Sequence, residues 1–157
     1  MNFTVRTASR GDAALLHGMI YELAEYEKMI DMVTATAETL AQSIFDRGEA
    51  EALIAEADGK AVGYAIFCGN FSTFAGRGGL YIEDIYIKPD FRGKGFGKAL
   101  FKAVAKLAYE RGCPRMEWMC LDWNKPSIEF YERLGAKQLG EWTTFRLTRD
   151  KLAELLG

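Results

Sequence analysis

Residues 92–97 are the segment of the sequence with the clearest capacity for chemistry. They read Arg-Gly-Lys-Gly-Phe-Gly and stand directly before a stretch with helical periodicity. Glycines before a helix let the backbone approach a ligand closely, and the first turn of the helix offers free N–H groups and a positive dipole end. This combination predicts a binding site for a pyrophosphate.

The spacing of the glycines excludes two common phosphate-binding loops. The dinucleotide pattern G-x-G-x-x-G is not met, because Gly93, Gly95 and Gly97 are each two residues apart. A P-loop is excluded because Arg92 stands in place of its first glycine and Ala99 replaces the Ser/Thr that would hold magnesium. The pattern that remains is R-x-x-G-x-G, and the alternative is a glycine-rich turn without a ligand.

Two adjacent acids, Glu83 and Asp84, interrupt the apolar segment just before this loop. Leu80 and Ile82 share one strand face before them, and the aliphatic side chains then continue on the other face. Because side chains alternate with a period of two, this slip predicts a β-bulge or a strand buried on both faces. A carboxylate pair at a bulge can collect a cation and accept its proton, and a solvated strand end is the alternative.

Two further side chains have both a chemical and a plain interpretation. Glu27 occupies the next position of the helical stripe Leu16, Ile20, Leu23, so it is either a carboxylate on the inward side or a solvated residue beyond the helix. Tyr131 lies on a short helical stripe and is either core or a proton donor. The single histidine, in a helical stretch, is interpreted as a surface or core residue.

The helices and strands that position these residues are predicted from the spacing of apolar side chains and from the residues that cap or break each element. The predicted order is β-α-α-β-β-β-α-β-α-β, followed by a C-terminal helix. The first half has a strand at 3–5, a helix after Ser9 or Asp12, a helix at 36–45, and a hairpin of strands at 52–55 and 62–67. A glycine- and serine-containing loop at 69–79 leads to the central strand at 80–87 and its helix, which ends at Gly112; a strand at 116–121, a short helix capped by Asn124 and a strand at 143–147 follow. This succession predicts a mixed α/β (α+β) fold with a mostly antiparallel sheet, in one domain over residues 1–157.

Composition narrows the class of protein. The 157 residues are 49% hydrophobic and 27% charged with a net charge of −2, which argues against nucleic acid as the main partner. No apolar run reaches membrane-spanning length, and the N-terminal residues do not resemble a signal peptide. The sequence therefore predicts no membrane partner. The three cysteines have no metal-ligand spacing, so we expect no metal site and free thiols in a reducing, cytoplasmic environment.

The R-x-x-G-x-G segment with its strand and helix resembles the acetyl-CoA signature of the GCN5-related N-acetyltransferases, the GNAT superfamily. Residues 23–29 (LAEYEKM), 80–87 (LYIEDIYI) and 122–131 (DWNKPSIEFY) resemble its spermidine/spermine (diamine) and thialysine branch. The resemblance spans the whole chain. It implies a twisted sheet whose central strands splay around the thioester arm of the cofactor, flanking helices, and a homodimer.

The resemblance also implies roles for individual residues. For acetyl-CoA it implies contacts by Ile85, Tyr86, Ile87, Arg92, Gly93, Lys94, Gly95, Phe96, Gly97, Lys98, Asn124, Lys125, Pro126, Ser127 and Tyr131. For a small-molecule amine it implies contacts by Tyr26, Glu27, Glu83, Asp84 and Trp142. Glu83, directly or through water, and Tyr131 are the implied catalytic groups, and Tyr131 would protonate the departing thiolate.

The chemistry of the reaction agrees with these residue types. A primary amine with a pKa of about 10.4 costs roughly 4.6 kcal/mol to deprotonate at pH 7. An enzyme must take that proton, hold the amine beside the thioester, stabilise the charge on the carbonyl oxygen and protonate the leaving thiolate. Carboxylates, backbone N–H groups and a tyrosine supply these functions.

Residues 71–77 differ from the polyamine-specific members of the branch. A serine stands in place of an acid, a phenylalanine in place of a tryptophan, and Arg77 adds a positive charge. We therefore expect lysine-like, thialysine-like or short diamine substrates to be preferred over spermine. Acetylation of a protein N-terminus or lysine is an alternative function, and a CoA-binding sensor without turnover is another.

Overall fold

Five strands form one sheet in chain order: β1 (Phe3–Thr7), β2 (Glu51–Ala57), β3 (Lys60–Ser72), β4 (Arg77–Ile87) and β5 (Met116–Trp118). The computed structural model describes all 157 residues. Neighbours from β1 to β4 are antiparallel, and β5 is parallel to β4. The predicted mixed, mostly antiparallel architecture is confirmed.

The helices are α1 (Ala13–Tyr26), α2 (Ala37–Leu40), α3 (Phe96–Glu110), α4 (Lys125–Arg133) and α5 (Arg149–Leu155). A π-helical segment, Ala41–Asp46, directly follows α2, and short 3-10 turns precede α1, precede α2 and follow β4. The chain divides into two compact units, Met1–Met119 and Cys120–Gly157. The whole sheet with α1 to α3 lies in the first unit, and α4 and α5 lie in the second. The longest helix, α3, has 15 residues, and none of the helices combines the length and the apolar character of a membrane span.

The two faces of the sheet carry different cores. One face packs beneath α1, in a cluster formed by Ala8, Leu16, Met19, Ile44, Ala52, Ile54, Tyr64, Ile66 and Tyr86. The residues of opposite parity in the strands point to the other face. There α3 buries its stripe of Leu100, Val104 and Ala108, and Phe101 packs edge-on against Trp118 at 5.0 Å between ring centres.

The predicted bulge is present in β4. Asp84 pairs with Ile66 and Ile82 pairs with Phe67, so Glu83 is the additional residue on its strand. The bulge places Leu80, Ile82, Ile85 and Ile87 on one face of the sheet, with Ile85 half-buried and the other three buried. Asp84 consequently points to the same face as Tyr64 and Tyr86, which is the face beneath α1.

The predicted loop over residues 69–79 is wrong. β3 and β4 continue pairing beyond Phe67, through Gly69 with Leu80 and Asn70 with Gly79, to Ser72 with Arg77. The turn comprises only residues 73–76, and Gly76 takes a φ of +67° there, which favours glycine. The glycines and serine in this segment belong to a long hairpin, because backbone pairing does not require large side chains.

The predicted last strand, residues 143–147, is also wrong. These residues have no regular secondary structure, and the unit that contains them has no strand. A strand needs a neighbouring backbone to accept and donate its hydrogen bonds, which its own residues cannot provide. The predicted strand at 116–121 is shorter than expected, since β5 ends at Trp118. The predicted C-terminal helix is present as α5.

Candidate active site

Asp84 is a half-buried carboxylate on the face of the sheet beneath α1. The Tyr64 hydroxyl donates a hydrogen bond to its Oδ2 at 3.0 Å. Burial raises the pKa of Asp84, the Tyr64 hydrogen bond lowers it, and the charge of Glu83 raises it, with a net rise. Asp84 forms no ion pair.

Glu27 is a second carboxylate near Asp84. It is the C-cap of α1, and its N–H donates to the Leu23 carbonyl at 2.9 Å. α1 has ended before Glu27, as the alternative held, but the side chain is half-buried rather than solvated. Burial, and then the charge of Asp84, raises its pKa. Glu27 also lacks an ion pair. The free protein therefore has two half-buried like charges facing one site, an arrangement that a bound cation would stabilise.

Glu83 lies in different surroundings from its neighbour Asp84. Its side chain is exposed at the bulge. Burial raises the pKa of Cys68 and of Tyr81, and in each case the charge of Glu83 is the next cause. The carboxylate thus lies along the hairpin, open to solvent, where it can pass a proton to water.

Arg92, the first residue of the R-x-x-G-x-G segment, is engaged by the protein itself. Its Nε donates to the Ile87 carbonyl at 2.8 Å. Its guanidinium lies 5.0 Å from the ring centre of Tyr26 and 5.5 Å from that of Tyr86. The side chain joins the loop to the end of α1, and so Tyr26 contacts the loop through Arg92.

A second link joins the end of β4 to α1. Both oxygens of Glu22 are used: Tyr86 Oη donates to Oε1 at 3.1 Å and Lys88 Nζ lies 2.7 Å from Oε2. Burial, and then the charge of Glu22, raises the pKa of Tyr86 to about 12. These contacts fix the strand end from which the loop begins.

The loop itself has the backbone geometry that a pyrophosphate requires. Gly93 and Gly95 have φ values of +74° and +84°, and Gly95 is the N-cap of α3 without any side-chain cap. The first intrahelical bond, from Ala99 N–H to the Gly95 carbonyl at 3.0 Å, leaves the N–H groups of the three preceding helical residues without a helical partner. A Cβ built at Gly93 or Gly95 meets no atom within 4 Å, so the glycine surface is open. These observations fit an anionic group at Gly93, Lys94, Gly95, Phe96, Gly97 and Lys98.

The edge of β4 that faces β5 is unpaired beyond the bulge. β5 pairs with β4 only from Leu80 to Ile82. The side chains of Tyr86 and Ile87 are buried and that of Ile85 is half-buried, so this segment has chiefly its backbone to offer a ligand. The predicted splay of the central strands agrees with this short pairing.

The second unit contains the remaining predicted residues. The Asn124 side chain accepts a hydrogen bond from the Ser127 N–H at 3.4 Å and caps α4, with Lys125 and Pro126 in the first turn, as predicted. Tyr131 is half-buried on α4, and its ring lies edge-on to Phe130 at 5.4 Å. Trp142 lies in the irregular segment after α4 and is 75% exposed.

Arg77, whose added charge entered the expected substrate preference, lies at the end of α3 and not beside Glu27 or Asp84. Its guanidinium lies against Gly112, where a built Cβ would be 2.7 Å from one of its nitrogens. It borders a cavity of about 300 Å³ with Glu51, Arg111 and Cys113, at the end of α3. Asp84 and Glu27 lie on the face beneath α1 instead.

Tyr64 is the site residue that sequence reasoning missed. In the sequence it is one aromatic residue in an apolar strand, VGYAIF, and nothing in that pattern distinguishes it from core. Its contact with Asp84 depends on the register of β3 with β4 across the bulge.

Comparison with known proteins agrees with this geometry. The sequence profile of the Acetyltransferase (GNAT) family matches residues 18–136. Thialysine N-epsilon-acetyltransferase of Sus scrofa is 38% identical over 165 residues, covering 98% of this chain and 96% of that protein. L-ornithine N5-acetyltransferase NATA1 of Arabidopsis thaliana is 29% identical, covering 94% and 85%.

A solved structure supports the fold alone. An integron cassette protein from the mobile metagenome of V. cholerae superimposes with a TM-score of 0.82 at 24% identity, covering 99% of this chain and 98% of that one. The family assignment rests on two other findings. The family profile matches most of the chain, and the chain is similar over nearly its full length to named N-acetyltransferases. The chain belongs to the GNAT family of acetyltransferases and, within it, is similar to the thialysine branch.

Proposed function

We propose that the protein transfers the acetyl group of acetyl-CoA to a primary amine of a small cationic substrate of the thialysine, lysine-like or short-diamine type. The observation that carries the proposal is the pair Glu27 and Asp84, two half-buried carboxylates without a cation. Relatives named for thialysine and ornithine acetylation support the substrate class.

The amine binds as an ammonium ion at the acidic pair. Burial, and then the charge of Asp84, raises the cost of ionising Glu27, and burial, and then the charge of Glu83, raises the cost of ionising Asp84. An ammonium group between them offsets both, so its binding is favoured by relief of repulsion as well as by attraction. Tyr26 and Trp142 are the further residues proposed to contact the amine.

The bound ammonium must then become a free amine. Glu83 is the proposed acceptor of its proton, directly or through water, since it adjoins Asp84 and is exposed to solvent. A water path from an exposed carboxylate returns the proton to solvent between turnovers.

When bound, acetyl-CoA supplies the activated acetyl group as a thioester. The backbone N–H groups of residues 93–98 would hold its pyrophosphate, with Arg92 fixing the loop. The backbone of Ile85, Tyr86 and Ile87 would bind along the thioester arm, and an N–H at Ile85 would stabilise negative charge on the carbonyl oxygen. Asn124, Lys125, Pro126 and Ser127 are proposed to contact the pantetheine arm, and Tyr131 to protonate the thiolate.

We also propose that the protein is a cytoplasmic homodimer. Trp142, Phe145 and Leu147 lie in an irregular segment of the second unit and are 75%, 90% and 57% exposed. Exposed apolar residues grouped in one segment are typical of an interaction surface. Three free cysteines agree with a reducing compartment.

The hairpin tip is where the chain differs from the polyamine-specific members. Ser72 stands where the polyamine-specific members have an acid, and it is buried with its Oγ accepting from the Ala75 N–H at 3.1 Å. The neighbouring Phe71 and Phe74 are exposed and uncharged. Ser72 pairs with Arg77, which lies at the end of α3, so the proposed preference for short substrates is supported chiefly by the relatives named for thialysine and ornithine acetylation.

The test is acetyl-CoA-dependent thiol release with thialysine, lysine, ornithine, putrescine, spermidine, spermine and peptides. We expect thialysine or a short amine to have the highest kcat/KM, and Arg77→Ala to leave the ranking unchanged. Spermine as the best substrate would overturn the substrate class. A peptide as the best substrate would support protein acetylation, and acetyl-CoA binding without turnover on any amine would support a sensor.

A further inference from the structure

Tyr64 has a hydroxyl group that packing does not explain. The side chain is completely buried in the core beneath α1, and its ring lies 6.0 Å from that of Tyr86. A phenylalanine would fill the same volume. A buried hydroxyl is costly unless it is hydrogen-bonded, and the bond it makes is to Asp84 Oδ2.

The hydroxyl is a hydrogen-bond donor to Asp84. Burial and the neighbouring charges of Asp84 and Glu27 raise the pKa of Tyr64 far above its ordinary range, and Tyr86 adds to this effect. Tyr64 therefore remains a neutral hydroxyl that donates its hydrogen bond to Asp84.

The groups around Asp84 otherwise oppose its charge. Glu83 adjoins it on β4, Glu27 faces it from the end of α1, and the surrounding core is apolar. The Tyr64 hydroxyl, from β3, is the group that favours the ionised carboxylate. It binds Oδ2, and Oδ1 accepts no hydrogen bond within the protein.

We propose that Tyr64 is a positioning residue for the amine, which keeps Asp84 ionised and turns its free oxygen toward the substrate ammonium. This inference rests on the proposed function for its consequence in catalysis. It predicts that an aromatic hydroxyl in the core, with no contact to the substrate, determines how tightly the cation is bound.

The test compares Tyr64→Phe with the wild type at two levels. In ¹³C NMR of aspartate-labelled protein, with Asp84→Asn used for assignment, the Asp84 Cγ titration should move to higher pH by about one unit. In kinetics, the KM for the best amine should rise about tenfold while kcat changes little. The acid limb of kcat/KM should move up with the NMR titration, because the ionised carboxylate binds the cation.

Two controls separate positioning from structure. Tyr86→Phe removes a buried hydroxyl that serves Glu22, and it should leave the Asp84 titration in place. In an Asp84→Asn background, Tyr64→Phe should not raise the amine KM further. If Tyr64→Phe unfolds, Asp84→Asn must by itself reproduce the tenfold rise in KM, and an unchanged KM would refute the proposal.

The outcomes distinguish this inference from the proposed function. A wild type with amine turnover and a Tyr64→Phe variant with unchanged Asp84 titration and amine KM would overturn only the role of Tyr64. A wild type without turnover on any amine would overturn the proposed function, and the NMR titration would still decide whether Tyr64 keeps Asp84 ionised.

Discussion

At the scale of single residues, Glu27 and Asp84 carry charge that the free protein does not neutralise. The fold holds their pKa values above the ordinary range, which begins at about pH 4. Between the ordinary pKa and the raised pKa, the folded state binds more protons than the unfolded state. The stability of the free protein therefore falls as the pH rises from the ordinary pKa through the raised one.

Glu27→Gln should remove part of this destabilisation. We expect its melting temperature to exceed that of the wild type at pH 8, on the order of 2 °C, and to match it near pH 3, where both carboxylates are protonated. The same variant should raise the amine KM. Differential scanning calorimetry at the two pH values checks the sign, and a variant less stable at pH 8 would contradict it.

The proposed role of Tyr131 depends on its hydroxyl group alone. Tyr131→Phe keeps the ring against Phe130 and removes only the hydroxyl. If the hydroxyl protonates the thiolate, kcat should fall about 10²-fold with little change in melting temperature. Steady-state assays with the best amine measure this, and full kcat would return Tyr131 to a packing role.

At the scale of elements, the start of α3 is the segment proposed to bind the pyrophosphate of the cofactor. Gly95 has a left-handed backbone, and a side chain there extends into open space. Gly95→Asn and Gly95→Asp have the same shape, and both residue types tolerate this conformation better than most. They differ in one negative charge at a helix N-terminus that is proposed to bind a pyrophosphate.

Gly95→Asp should therefore raise the acetyl-CoA Kd about tenfold more than Gly95→Asn does. Isothermal titration calorimetry on both variants measures the ratio, and circular dichroism verifies that both fold. Equal Kd values for the two variants would place the pyrophosphate elsewhere.

At the scale of the whole molecule, the second unit leaves apolar residues exposed that a dimer would cover. We expect light scattering to give a mass of twice 17.6 kDa. Phe145→Asp combined with Leu147→Asp should convert the protein to a monomer, because two charges would be buried at the interface. Tyr109→Asp, on an exposed residue of α3, is the control and should leave the mass unchanged. A monomeric wild type would refute the dimer.

The sequence by itself determined the features that depend on near neighbours. The cap of α4 by Asn124, the end of α3 near Gly112 and the bulge at Glu83 were all predicted and are present. Each follows from contacts within a few residues or from the side-chain period of a single strand. The R-x-x-G-x-G loop before α3 belongs to the same class, since its glycines and helix start are adjacent in the chain.

Only the tertiary structure decided what depends on pairing between distant segments. Residues 69–79 extend a hairpin and residues 143–147 form no strand, because a strand exists only where another backbone meets it. Tyr64 touches Asp84 twenty residues away through the register of two strands, and Arg77 lies against Gly112 and away from the acids. Side-chain direction after a bulge is set by that register, and no local pattern in the sequence encodes it.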